Sequence, residues 1–195
     1  TLSEIARQPV FIAALLAATF GYGTMSFVMT ATPLAMVACG FPIGSVAHVI
    51  SWHILGMFAP SFVTGHLIRR FGDRNVLLAG AACYGGTIVF GLLGVDIQNF
   101  WLALVLLGLG WNFLFVGGTA LLTKCYRPSE RAKVQGFNDC LIFTGVALCS
   151  LTAGIIEQSW GWDSVVWAAL VPTLVILVAV AWGAPGRQKA RSATV

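Results

Sequence analysis

Charge is scarce in this chain of 195 residues: Asp, Glu, Lys and Arg together make up 9% of it. A soluble domain carries about 25%, because its surface must be covered with groups that water accepts. The shortage excludes an ordinary soluble fold, and a hydrophobic content of 58% takes the place of the missing charge. Alternating strands of about ten residues, the mark of a transmembrane barrel, are also missing. The five cysteines, Cys39, Cys83, Cys125, Cys140 and Cys149, are odd in number and show no C-x-x-C spacing. They read as small buried hydrophobes rather than a disulfide framework or a metal site. No G-x-S-x-G, H-E-x-x-H or phosphate-binding loop occurs, so no cofactor and no nucleotide-driven chemistry are expected. The opening "TLSEIARQPVFIAALL" lacks an initiator Met and a small-residue cleavage site. It reads as the start of a fragment or trimmed chain, not as a signal peptide.

What is present is six apolar stretches, at about 9–38, 44–68, 75–95, 98–123, 133–156 and 164–184. A hydrocarbon core of roughly 30 Å needs about 20 apolar residues per helix, and each stretch is long enough. Lipid offers no water to the backbone, so the spans must be helical. The eleven basic residues sort by connection: Arg7; Arg69, Arg70 and Arg74; Lys124, Arg127, Arg131 and Lys133; Arg187, Lys189 and Arg191. Connections two and four and both ends hold all of them. The other connections carry only Asp96, or Glu157 and Asp163. Basic loops stay in the cytoplasm, which predicts an all-α, multi-pass membrane protein with both termini, including a basic tail at 185–195, on the cytoplasmic side. That pattern accounts for a pI near 9.0 without a nucleic-acid partner; membrane lipid is the surrounding phase.

The stretches differ in texture. The first holds Gly21, Gly23 and Pro33 with Thr24, Ser26, Thr30 and Thr32, a composition that predicts a bend or break lining a cavity. The second holds Pro60 and two histidines, and the fourth Gly108, Gly110, Gly117, Gly118 and Asn112. Small residues let helices approach closely in lipid. The third and sixth are almost purely apolar and read as lipid-facing support. An internal repeat joins the two halves of the chain. "TGHLIRRFGDRNVLLAG" and "TAGIIEQSWGWDSVVWAAL" each place two glycines seven apart, Gly65 and Gly72 in one, Gly154 and Gly161 in the other. An aromatic residue precedes the second glycine and an acid follows it, Phe71 and Asp73 in the first copy, Trp160 and Asp163 in the second. Two three-helix units of opposite orientation, a 3+3 inverted repeat, would produce this pattern.

"GHLIRRFGDRNVLL" resembles the loop between the second and third helices in one half of a major facilitator superfamily transporter, whose pattern runs G-x-L-a-D-R-x-G-R-R. Gly65, Leu67, Arg70 and Gly72 match. Arg69 stands where that family has Asp, and Asp73 where it has a basic residue. "YRPSERAKVQGF" is similar to the family's loop between helices four and five, in Pro128, Glu130, Arg131 and Gly136. The resemblance covers all six stretches and implies one six-helix half of a twelve-helix protein. The fourth stretch has no Arg and the fifth no Gly-Pro run, so the carboxy-terminal half is implied. The implied function is secondary active transport of a small organic solute across the inner membrane by alternating access. Its implied partner is the missing six-helix half of the same transporter. Two rivals are a self-associating six-helix channel, which needs a polar filter absent here, and an intramembrane hydrolase. For the latter, Ser45 and His48 lie in one segment at an outer edge.

In that family the first and fourth helices of each half line the central cavity, and these are also the spans richest in polar and glycine residues. Tyr22, Met25, Ser26 and Met29 share one helical face; Gly108, Trp111, Asn112, Phe115 and Thr119 share another. Tyr22, Met25, Ser26, Trp111, Asn112 and Phe115 are the expected substrate contacts, with flat rings and polar groups suited to an amphipathic organic solute. Asn112 has a second reading, as a hydrogen bond between helices. Asp139, the one acid well inside a stretch, costs roughly 2.5–3.5 kcal/mol there and needs a task or a partner. It reads either as a proton-coupling site, with protons as the driving ion, or as an ion pair with Arg69 or Arg70 bracing a cytoplasmic gate. His53 is the deeper of the two histidines on the second stretch and a second coupling candidate. Gly65, Arg69, Arg70, Gly72, Asp73 and Arg131 complete the gating set that the resemblance implies.

Overall fold

The computed structural model describes residues 2–184, so the predicted basic tail at 185–195 lies outside the described residues. A short helix α1 (Leu2–Ala6) leads into α2 (Pro9–Ala38). Pro9 opens α2, where its fixed φ and missing N–H cost nothing. Thirty residues at 1.5 Å rise make α2 about 45 Å long, more than a hydrocarbon core requires. The stretch expected at about 9–38 forms one helix, and the break its composition allows does not occur: α2 runs uninterrupted through Gly21, Gly23 and Pro33. Its glycines serve packing instead. A Cβ on Gly21 would lie 2.9 Å from Leu114 Cβ, and one on Gly23 would lie 3.3 Å from Cys149 Sγ.

The break comes in the second stretch. Helices α3 (Ile43–Phe58) and α4 (Ser61–Phe71) meet at Ala59–Pro60 with a bend of 44°, where proline removes an N–H from the ladder. Gly72 (φ 86°, ψ 157°) turns the chain into α5 (Asp73–Leu93), a positive φ that glycine adopts without a Cβ clash. Charge follows the helix ends here. Arg69 and Arg70 lie in the last turn of α4, and Asp73 in the first turn of α5. Each sign suits the local macrodipole, which gives the two departures from the family pattern a physical reason.

After Gly94 come α6 (Ile97–Trp111), a π-helical turn (Asn112–Val116) and α7 (Gly117–Leu122), which together form one apolar path, Ile97–Leu122. A 3₁₀ turn at Pro128–Glu130 precedes α8 (Arg131–Gly183). The expected connection between the fifth and sixth stretches shrinks to a single non-helical residue inside α8, Gly161 (φ 77°, ψ 177°). Among the described residues, four helical elements are long and apolar enough to cross a membrane, and the bent α3–α4 pair makes a fifth if taken as one span. Among the described residues there is no strand. This is an all-helical, membrane-spanning fold.

The path from Ile97 to Leu122 meets neighbours on three sides. Gly108 lies against α3, where an added Cβ would collide with the His53 carbonyl and stand 3.0 Å from Met57 N. Gly110 lies against α5, where a Cβ would be 2.9 Å from the Gly80 carbonyl. Gly118 lies against α2, where it would be 3.1 Å from both Ala14 O and Ala18 N. α5 is therefore more than lipid-facing support: its Tyr84 is fully buried and donates its hydroxyl to the Gly21 carbonyl. Gly110→Val in the full-length protein is expected to cost at least about 1–3 kcal/mol, since the buried Tyr84 ring, 2.5 Å from that Cβ, and the Gly80 carbonyl behind it must both yield. Gly65→Ala, whose Cβ would meet nothing within 4 Å, is expected to stay within about 0.5 kcal/mol. Thermal denaturation in detergent separates the two.

Candidate functional site

Three of the expected substrate contacts come together as a ring cluster. Trp111 and Phe115, one helical turn apart across the entry to the π turn, stack at 5.1 Å with planes 13° apart. Tyr22 from α2 stands edge-on to both, at 5.4 and 5.1 Å. Two rings that sequence reasoning missed complete the cluster: Phe58 at 5.8 Å from Trp111, and Phe143 of α8 at 6.3 Å from Tyr22. Phe58 and Phe143 are 57% and 59% exposed, whereas Trp111 is 6% exposed. The cluster thus has a closed base and an open rim. At its base the Trp111 indole N–H is buried without a hydrogen-bond partner. π-Helical turns accumulate at functional sites, and this one carries Phe115.

Asn112 points elsewhere. It is wholly buried, and its amide is engaged at both ends by the α3–α4 bend. Its Nδ2 donates to Met57 O at 2.7 Å and to Ser61 Oγ at 2.6 Å, and its Oδ1 accepts from Thr64 Oγ1 at 2.6 Å. Four to eight residues earlier the same face of α6 makes further ties to α3. Leu104 O lies 2.8 Å from His53 Nδ1, and Gly108 makes the close crossing. A carbonyl only accepts, so His53 carries its proton on Nδ1. Its Nε2 is buried without a partner, and the residue has no exposed surface. Ser61 and Thr64 were also missed; the signal for them was Pro60, since a broken helix leaves carbonyls that a nearby amide can satisfy.

Of the remaining contacts on α2, Met25 is 3% exposed and belongs to the core. Ser26 shares a 2.7 Å hydrogen bond with Ser150 of α8. Asp139 is exposed, and its hydrogen bond is to the adjacent Asn138 Nδ2 at 3.2 Å. Of its two readings, the brace has no ion pair among the described residues: Arg69 and Arg70 are exposed at the end of α4, and Arg70 lies over the Phe71 ring at 5.4 Å. The ion pair forms instead between Asp73 Oδ2 and Lys124 Nζ, at 2.6 Å, joining the start of α5 to the end of α7. Arg74 donates to Ala181 O at 3.2 Å. Gly65 and Arg131 are exposed, the latter opening α8.

This arrangement, a helical bundle with an aromatic wall and a charged loop at Asp73, agrees with the comparison by sequence. The profile of the Major Facilitator Superfamily matches residues 9–194. The chain belongs to that superfamily. It is 46% identical over 179 residues to the riboflavin transporter RfnT of Brucella anthropi, a match covering 92% of this chain and 44% of that protein. To an uncharacterized MFS-type transporter of Bacillus subtilis, YddS, it is 34% identical, over 81% of this chain and 37% of the relative. To the 3-(3-hydroxy-phenyl)propionate transporter of Escherichia coli it is 24% identical, over 69% and 33% respectively. The chain thus spans less than half the length of these relatives, all named as transporters and none as an enzyme.

In this superfamily chain the Asn112 network makes a prediction about stability. Asn112→Ala removes three hydrogen bonds at the bend. At roughly 0.6 kcal/mol each in a membrane protein, the loss is expected to be about 1–2 kcal/mol. Thr64→Val is expected to cost less in that variant than in the parent protein, because one of the two acceptors of its hydroxyl is already gone. Melting temperatures of the full-length protein, the two single variants and the double variant check both statements.

Proposed function

We propose that this chain is the carboxy-terminal six-helix half of a secondary transporter that moves a planar aromatic solute across the inner membrane by alternating access. The observation that carries the reading is the ring cluster of Tyr22, Trp111 and Phe115, with an unpartnered indole N–H at its base and an open rim. Stacked and edge-on rings select flat solutes, and one buried donor fixes their orientation. Two relatives are named for aromatic solutes, riboflavin and 3-(3-hydroxy-phenyl)propionate. Energy comes from an ion gradient or from the solute's own gradient. Asp139, exposed on α8, is the candidate proton carrier.

The six spans follow if α3–α4 counts as one bent helix and Gly161 divides α8 in two. Support for a 3+3 inverted repeat lies in the backbone. Gly72 (φ 86°, ψ 157°) and Gly161 (φ 77°, ψ 177°) adopt nearly the same conformation at equivalent places in the two copies. Each joins the second helix of its unit to the third. The rim residues Phe58 and Phe143, with Asp139, would then face the missing half, and the two halves would rock about a site near the bilayer midplane. Both ends of the chain would lie in the cytoplasm.

Uptake by the full-length transporter in proteoliposomes, with riboflavin as the first solute, tests this reading. Trp111→Ala and Phe115→Ala are each expected to weaken apparent affinity about tenfold, since a ring contact contributes about 0.5–1.5 kcal/mol beyond its buried area. Asp139→Asn is expected to leave that affinity unchanged while abolishing the pH dependence of uptake. Normal affinity in both ring variants would remove the site from the aromatic wall.

A further inference from the structure

A second cavity, of about 320 Å³, lies between α2 and the parts of α8 on either side of Gly161, and none of the aromatic-wall residues lines it. Val171, one of its lining residues, is 65% exposed. Helical threonines normally turn the hydroxyl onto the carbonyl one turn back. Thr32, Thr119, Thr152 and Thr173 all do so here. Thr19 and Thr24 do not: both hydroxyl oxygens are buried without a partner, and both residues line this cavity. Thr24 is 4% exposed. Across the cavity stands Pro172, which has no N–H to give the Ala168 carbonyl. An otherwise apolar pocket is therefore bordered by two residues whose hydroxyls are buried without a partner, and by a proline that leaves the carbonyl one turn back without its helical donor.

A lipid tail has no group to offer these atoms. A charged ligand finds no counter-charge, because the lining contains no Asp, Glu, His, Lys or Arg. A small uncharged molecule with a flat apolar body and one hydroxyl satisfies both halves of the lining. We propose that this cavity binds a phenol-class ligand drawn from the bilayer. Its ring packs against Phe20 and Phe27, its oxygen accepts from Thr24 or Thr19, and its O–H donates to Ala168 O. The site is separate from the solute wall and does not depend on the transport reading.

Cys149 lines the same cavity and reports on it. The test uses the full-length transporter in nanodiscs, with Cys39, Cys83, Cys125, Cys140 and any cysteine outside this chain replaced by Ser. The probe is 1-naphthol, with naphthalene as its hydroxyl-free counterpart. We expect 1-naphthol to slow N-ethylmaleimide labelling of Cys149 saturably, at concentrations about fivefold or more below those naphthalene requires, because only the former satisfies the buried hydroxyls. Thr19→Val with Thr24→Val should erase the difference between the two probes, and Trp111→Leu should leave it intact. Equal protection by both probes, undiminished preference in the double Thr variant, or no protection at all would overturn the assignment. If Cys149 proves unreactive, saturable binding of tritiated 1-naphthol replaces labelling as the readout. Its loss in the double Thr variant is then the expected result, and its retention the contrary one.

Discussion

Lipid gives a polar group nothing to bond to, so a helix that breaks inside a membrane must have its freed groups satisfied by another part of the protein. In this chain that requirement falls on one side chain. The α3–α4 bend at Pro60 is held by the amide of Asn112, which reaches Met57, Ser61 and Thr64 at 2.6–2.7 Å. The position of Asn112 in turn depends on how closely its own helix approaches α3. Gly108 permits that approach, because any Cβ there would meet the His53 backbone. Bend, glycine and amide form one device, and the rest of the bundle is arranged around it.

The same helical path supplies the aromatic wall. Asn112 opens the π turn, and the residues on either side of its hydrogen-bonded face are Trp111, in front of it, and Phe115, one turn on. Fixing Asn112 toward α3 leaves the rings of Trp111 and Phe115 facing Tyr22 on α2. Inter-helix hydrogen bonding and the aromatic wall are therefore divided between adjacent residues of a single turn. Gly110 and Gly118 seat that turn against α5 and α2, so the wall stands on closely packed helices.

Much of this was legible in the sequence. Charge scarcity and the sorting of basic residues by connection identified a multi-pass helical protein, and spacing placed Tyr22 with its face-mates and Trp111 with Phe115. Division within those faces was not legible. A shared helical face spans roughly 100°, wide enough to hold both Asn112, turned to α3, and Trp111, turned to α2. Only the neighbours decide between them. The Gly72 turn was expected from its motif and α2 from its stretch at 9–38; whether that stretch would break was not legible, because glycines that allow close approach look the same in sequence as glycines that break a helix. Asp139 illustrates a third limit. A buried carboxylate demands a partner, but its exposure depends on how helices are set side by side, and here Lys124 meets Asp73 instead.

The account's central claim is that solute meets the rings of Tyr22, Trp111, Phe115 and Phe143. The most direct measurement is photo-crosslinking of a transported aromatic solute carrying a diazirine to the full-length protein, followed by mapping of the adducts by mass spectrometry. The account predicts adducts on these four residues that disappear when excess unlabelled solute is present. Competed adducts confined to other parts of the bundle, with these four unmodified, would contradict it.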